Sequence, residues 1–138
     1  MTFKCYDRLP EEAKAIRTAV FVGEQGFETE FDDIDDVARH IVMYDGERAV
    51  ATCRYYKGKG GEYHIGRIAV VRGERGKNYG AAVLAEGERA AAEEGGTLAV
   101  VSAQVRARGF YEKQGYSAVG GEYLDESCPH IKMVKPLA

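Results

Sequence analysis

The chain has 138 residues, 45% of them hydrophobic, which is the size and apolar content of one domain, residues 1–138, with a single continuous core. Its 19 basic and 22 acidic residues leave a formal charge of -3, so it offers no bulk positive field to nucleic acid or to an anionic membrane. No run reaches the roughly 18 apolar residues of a membrane span, and MTFKCYDRLP at the start lacks the apolar stretch of a signal peptide, so a cytoplasmic protein is expected.

After a first strand, Pro10 followed by Glu11 and Glu12 marks a helix start, because proline is tolerated in the first turn and carboxylates favour the positive end of the helix dipole. That helix is predicted to run to about Val22, with Ala13, Ile16 and Ala19 or Val20 on its apolar face. The acidic stretch from Glu28 to Asp36 is too self-repelling for a core element and is predicted as a solvated loop with one short helical turn. HIVMY at 40–44, a DGE turn and RAVATCRYY at 48–56 read as a hairpin. EYHIGRIAVV at 62–71 reads as a further strand, with Tyr63, Ile65, Arg67, Ala69 and Val71 on one face and His64, Ile68 and Val70 on the other.

A glycine-containing loop, RGERGKNYG, then leads into a helix whose Gly80, Leu84, Gly87 and Ala91 recur at helical spacing, a stripe small enough to lie close against a sheet. TLAVVSAQ at 97–104 is a buried strand, ARGFYEKQG at 107–115 a helix ended by glycine, and SAVGGEYLD and HIKMVKP are two closing strands. The order β, α, three strands, α, β, α, β, β describes a mixed α/β sheet with helices on its faces.

The cysteines, Cys5, Cys53 and Cys128, are odd in number and far apart, and the three histidines fall on different segments without metal-ligand spacing. Neither a disulfide framework nor a metal cofactor is expected; CPH at 128–130 comes nearest to a ligand pair.

Most of the chemical signal sits between the strand RIAVV and the helix after it. A strand that passes through a glycine loop into a helix start leaves several main-chain N–H groups unpaired at the positive end of the dipole, which makes an anion cradle. Arg72, Arg75 and Lys77 add charge suited to a pyrophosphate, although a plain glycine-rich turn with solvated basic residues fits the same letters. A Walker loop ending at Gly76 and Lys77 requires glycine at 71 and Ser or Thr at 78, where the chain has Val71 and Asn78; a Rossmann fingerprint is also missing, so neither ATP nor NAD is favoured.

IAVVRGERGKNYG resembles the cofactor motif of the GNAT superfamily of acetyl-CoA-dependent acyltransferases, a loop that opens with Gln or Arg and closes with Gly or Ala. Arg75 and Gly80 match its two ends, while Asn78 replaces its middle glycine. Asparagine tolerates the left-handed backbone better than most residues. A second resemblance, with independent spacing, lies in Gln104, Ala107, Phe110, Tyr111, Gly115 and Tyr116, with Gln in place of the family's Asn and Tyr in place of its Phe. RTAVFVGEQGF at 17–27, DDIDD with His40, and the ending CPHIKMVK are similar to the ElaA-like branch.

The resemblance implies a strongly bent mixed sheet of six to seven strands flanked by helices, with strands 4 and 5 splayed around the pantetheine arm of acetyl-CoA. It implies that Ile68, Ala69 and Val70 line the arm and that Arg75, Gly76, Lys77, Asn78, Tyr79 and Gly80 hold the pyrophosphate, with Gln104 and Phe110 completing the cofactor set. Tyr111 resembles the family's general acid, placed to protonate the departing sulfur; as a lone residue it would read as an ordinary core tyrosine.

Acetyl transfer to an amine also needs a proton acceptor and a donor for the tetrahedral oxyanion. Glu24, among Phe21, Val22 and Phe27, is a candidate base if desolvation raises its pKa; the competing reading pairs it with Arg17 or Arg54. His64 and His130 are the other candidates. A backbone N–H near Val70, freed by a bulge there, is the expected oxyanion donor. No cysteine falls within either motif, so direct attack of a primary amine in a ternary complex is expected rather than an acetyl-enzyme. The acceptor is open between a small molecule and a peptide amine, and the acidic stretch could attract a cationic one. A homodimer is the default assembly. The alternative is a catalytically silent acyl-CoA sensor or interaction protein with the same fold.

Overall fold

The β-branched and aromatic runs form strands in the expected order, and residues 1–27 and 30–137 are those described by this computed structural model. In chain order the elements are β1 (Thr2–Tyr6), α1 (Glu11–Arg17), a π-helical continuation (Thr18–Glu24), a 3-10 turn (Asp33–Asp36), β2 (Arg39–Asp45), β3 (Arg48–Lys57), β4 (Glu62–Val70), α2 (Tyr79–Glu93), β5 (Leu98–Gln104), α3 (Arg108–Lys113), β6 (Ser117–Asp125) and β7 (Cys128–Pro136). Among the described residues the strands make one seven-stranded sheet, β1-β2-β3-β4-β5-β7-β6, antiparallel except where β4 meets β5.

Alternation along β2 sorts the core onto two faces. Ile41 and Met43 join the cluster under α2 with Cys53, Tyr55, Ile65, Leu84 and Val101, whereas Val42 and Tyr44 face α1 beside Ala13. α2 lies close to the sheet through its small residues: a Cβ on Gly87 would sit 3.4 Å from both Cys53 Sγ and Ile65 Cγ2. Just past α2, a Cβ on Gly96 would fall 2.6 Å from Tyr63 Cδ1 and 2.8 Å from the Ala91 carbonyl oxygen. Gly96→Ala is therefore expected to cost about 1–3 kcal/mol through overpacking, read as a lower urea midpoint; an unchanged midpoint would mean that the tail of α2 yields freely.

Three expectations need correction. The first helix is α-helical only to Arg17 and then widens, with Phe27 N–H reaching the Phe21 carbonyl at 2.9 Å. This winding buries Val20 and Phe21 and leaves Ala19 exposed.

The second concerns β4, where Thr52 pairs with Ala69 but Arg54 pairs with Gly66, so β4 spends one residue more than β3 across this span. Arg67, with φ of 51°, takes up the extra residue. Because side chains alternate with period two, a single inserted residue exchanges the faces beyond it. Ile68 and Val70 thus continue the α2 side of Tyr63 and Ile65, and Ala69 turns to the α1 side with Ile16 and Phe21.

The third is the acidic stretch. Glu28 lies outside the described residues, and the 3-10 turn is present, but Glu30 and Asp35 are buried. Arg17 reaches Glu30 at 2.7 Å and Asp35 at 2.8 Å; Arg54 reaches Asp32 at 2.7 Å and Asp35 at 2.9 Å; Arg67 adds 3.3 Å to Glu30 and 3.5 Å to Asp32. Glu30, Asp32 and Asp35 are thus held by guanidiniums, while Asp33 and Asp36 stay exposed. Opposite-charge partners remove the self-repulsion that the bare sequence suggests.

Candidate active site

The parallel pairing of β4 with β5 covers Glu62 to His64 against Leu98 to Val100 and then stops. Past that point the bulge at Arg67 redirects β4, and the two strands part as the resemblance implies. The gap opens into a cavity of about 250 Å³ lined by Ile68 on one side, by Ser102 and Gln104 on the other, and by Phe21 and Phe27 near the π-helical turn.

At one end of the gap lies the anion cradle. Gly76 has φ of 83° and Asn78 has φ of 62° with ψ of 24°, so asparagine accepts the left-handed position just before α2. The first helical bond recorded there is Ala82 N–H to the Asn78 carbonyl at 3.1 Å, so the N–H groups of Tyr79, Gly80 and Ala81 lie ahead of the intrahelical ladder. Lys77 sits 3.2 Å from Glu74 and over the Tyr79 ring. A Cβ on Gly80 would stand 3.6 Å from Phe110 and 3.8 Å from Val70, so the starts of α2 and α3 meet at the end of β4.

Arg75 does not extend over the loop. Its guanidinium folds back, with Nη1 and Nη2 at 2.8 and 3.0 Å from the Glu24 carboxylate and Nη2 at 3.1 Å from the Val70 carbonyl oxygen. This settles the partner of Glu24: it is Arg75, not Arg17 or Arg54. The hydrogen bond from Arg75 holds the exposed Glu24 carboxyl below its ordinary value, against the expected elevation, and Glu24 is not among the cavity's lining residues. The irregularity in β4 lies at Arg67, upstream of Val70; because Val71 N–H donates to the Val50 carbonyl at 2.9 Å, Val70 opposite Ala51 is a non-hydrogen-bonded pair and its N–H faces away from β3.

Tyr111 lines the cavity from α3, edge-on to Phe110 at 5.0 Å and to Tyr116 at 5.7 Å. Burial pushes its phenol above the ordinary value, so it stays protonated across the physiological range. Among the described residues its hydroxyl has no hydrogen-bond partner, which leaves the proton available to a guest. Gln104 lines the same cavity, donating to the Gln25 side chain at 2.8 Å and accepting from Arg106 Nε at 2.7 Å.

His64 stands elsewhere, stacked on Tyr56 at 5.0 Å, while His130 lines the cavity. The sequence reading missed Arg67 and Ser102 as site residues. A non-glycine residue at positive φ has no letter signature, but the polar Ser102 interrupting an apolar strand was a usable sign.

Residues 8–137 match the family described as the acetyltransferase (GNAT) domain. An uncharacterized N-acetyltransferase of Bacillus subtilis, YjcF, is 36% identical over 128 residues, 91% of either chain. The crystal structure of Escherichia coli ElaA superposes with a TM-score of 0.84 at 25% identity, over 97% of this chain and 98% of that one. An aminoglycoside 6'-N-acetyltransferase solved with coenzyme A shares the fold, with a TM-score of 0.80 at 15% identity over 100% and 98% of the two chains. With the splayed strands, the helix-start cradle and the family match in agreement, the chain belongs to the GNAT acetyltransferase family.

Proposed function

We propose that the protein transfers the acetyl group of acetyl-CoA to a primary amine by direct attack in a ternary complex. The observation that carries this reading is the parting of β4 from β5 past His64 and Val100: it leaves a cavity where Tyr111 presents a protonated, unpartnered phenol, and the start of α2 packs at the end of β4. Family membership and a coenzyme A complex of a protein with the same fold support the donor.

In this reading the main chain of Gly76 to Gly80 binds pyrophosphate, the edge of Ile68 to Val70 aligns the pantetheine arm, and Tyr111 protonates the thiolate as the C–S bond breaks. Arg75 must leave the Val70 carbonyl for the arm to pair there, and the pyrophosphate gives its guanidinium a new anionic partner.

The test is release of free thiol from acetyl-CoA with spermidine, glucosamine, lysine and a lysine-containing peptide as acceptors. Turnover with any of these supports the reading. Tight acetyl-CoA binding without turnover on any amine would favour a silent sensor, and absence of binding would remove both. The cradle has its own check. Asn78→Val places a β-branched residue at φ of 62° and is expected to weaken coenzyme A binding about tenfold or more by calorimetry, whereas Asn78→Gly should bind at least as well as the natural protein.

A further inference from the structure

The acceptor amine must lose a proton as its nitrogen bonds to the acetyl carbon, and Tyr111, which donates, cannot also be the first acceptor. Resting on the transferase reading above, the geometry points to His130 as the general base, through its Nε2.

Four cavity residues could accept a proton: Glu30, Asp125, Glu126 and His130. Glu30 is committed to Arg17 and Arg67. Asp125 and Glu126 lie at the exposed β6–β7 turn, where water competes for their carboxylate oxygens. His130 differs in both environment and preparation. It is 6% exposed, pairs with Gln104 on β5 and Tyr123 on β6, and its ring stacks on Tyr123 at 6.0 Å. Tyr123 is in turn hydrogen-bonded to Ser102, another wall of the cavity.

The ring's tautomer follows from one contact. Nδ1 lies 2.8 Å from the Cys128 carbonyl oxygen, which can only accept, so Nδ1 carries the hydrogen and the lone pair of the neutral ring resides on Nε2. Among the described residues Nε2 has no hydrogen-bond partner, and it is not one of the sealed, unsatisfied polar atoms. This is the arrangement in which one nitrogen is anchored and the other accepts.

The proton count closes. The neutral amine attacks the thioester, its proton passes to Nε2 as the C–N bond forms, and the departing sulfur takes the Tyr111 proton as the C–S bond breaks. Imidazolium and phenolate then exchange protons with solvent, and the products are an acetamide and free thiol.

His130→Gln and His130→Ala are to be assayed by thiol release with the four acceptors named above, and by calorimetry with coenzyme A. The expected result is a fall in kcat of about 10²-fold or more with coenzyme A affinity kept, and partial recovery of His130→Ala by added imidazole. A second readout needs no acceptor: nitrogen-15 spectra of the imidazole should show the Nδ1–H tautomer in the neutral form. Turnover within about threefold of the natural protein in His130→Gln, or an Nε2–H tautomer, would overturn the assignment while the transferase reading stands. Absence of turnover by the natural protein on every amine would instead overturn that reading, and this assignment with it.

Discussion

Replacing Tyr111 with phenylalanine is expected to lower kcat by about 10²-fold or more while coenzyme A affinity stays within about twofold. The ring keeps its edge-on contacts with Phe110 and Tyr116, so the packing of α3 against the core survives and only the hydroxyl is lost. Burial already holds the phenol's proton, so in the proposed reaction the group would act as an acid without needing a partner to charge it. Thiol-release kinetics and calorimetry on the same preparation separate the two quantities. An unchanged kcat would remove Tyr111 from the chemistry, because no other phenol lines the cavity among the described residues.

The second large effect is on stability. Arg17→Ala is expected to destabilise the fold by about 3–5 kcal/mol, read from urea unfolding, because removing one partner from a buried ion network leaves the others uncompensated. Arg17 is 1% exposed; its Nε serves Glu30 at 2.7 Å and its two terminal nitrogens reach Asp35 at 2.8 and 3.1 Å. Arg17→Lys keeps the charge but cannot reproduce the fork, and should fall between the two.

Acid should reveal the same network. Burial pushes the Asp35 carboxyl up, and the Arg17 and Arg54 guanidiniums more than reverse it, holding it at about 2. A carboxyl depressed on folding contributes stability that is complete above its unfolded value near 4 and is lost as pH falls through its folded value near 2. Glu30 opposes this in part, because burial raises it. Removing Arg17 should move the acid transition upward, and an unmoved transition would mean that Arg54 alone holds Asp35. The consequence reaches the active site, since Glu30 and Arg67 both line the cavity and Arg67 is the residue that bends β4.

Much of this molecule is written in local pattern. Period-two apolar runs specified the strands, and Pro10 with two glutamates marked the start of α1. The small residues at 87 and 91 indicated a helix lying close to the sheet. The cradle was legible for the same reason: a turn that needs positive φ accepts few residues, and glycine at 76 with asparagine at 78 are among them. Tyr111 was singled out by the resemblance carried by Gln104, Ala107, Phe110, Gly115 and Tyr116, and the structure places it on α3 against the cavity.

What the letters could not supply were the pairings between distant segments. Arg17, Glu30, Asp35, Arg54 and Arg67 are polar residues that sequence alone places in water, and only their convergence from α1, the 3-10 turn, β3 and β4 allows burial. Glu24 likewise looked like a carboxylate raised by an apolar setting, whereas Arg75, 51 positions away, holds it below its ordinary value.

By itself the sequence determined the strand and helix order and the glycine- and asparagine-bearing loop before α2, because each depends on residues within a few positions of one another. Only the tertiary structure decided which carboxylates are spoken for, which face Ala69 takes and which histidine reaches the cavity. Those outcomes depend on an inserted residue in β4 and on strand neighbours far apart in the chain, and neither leaves a periodicity to read.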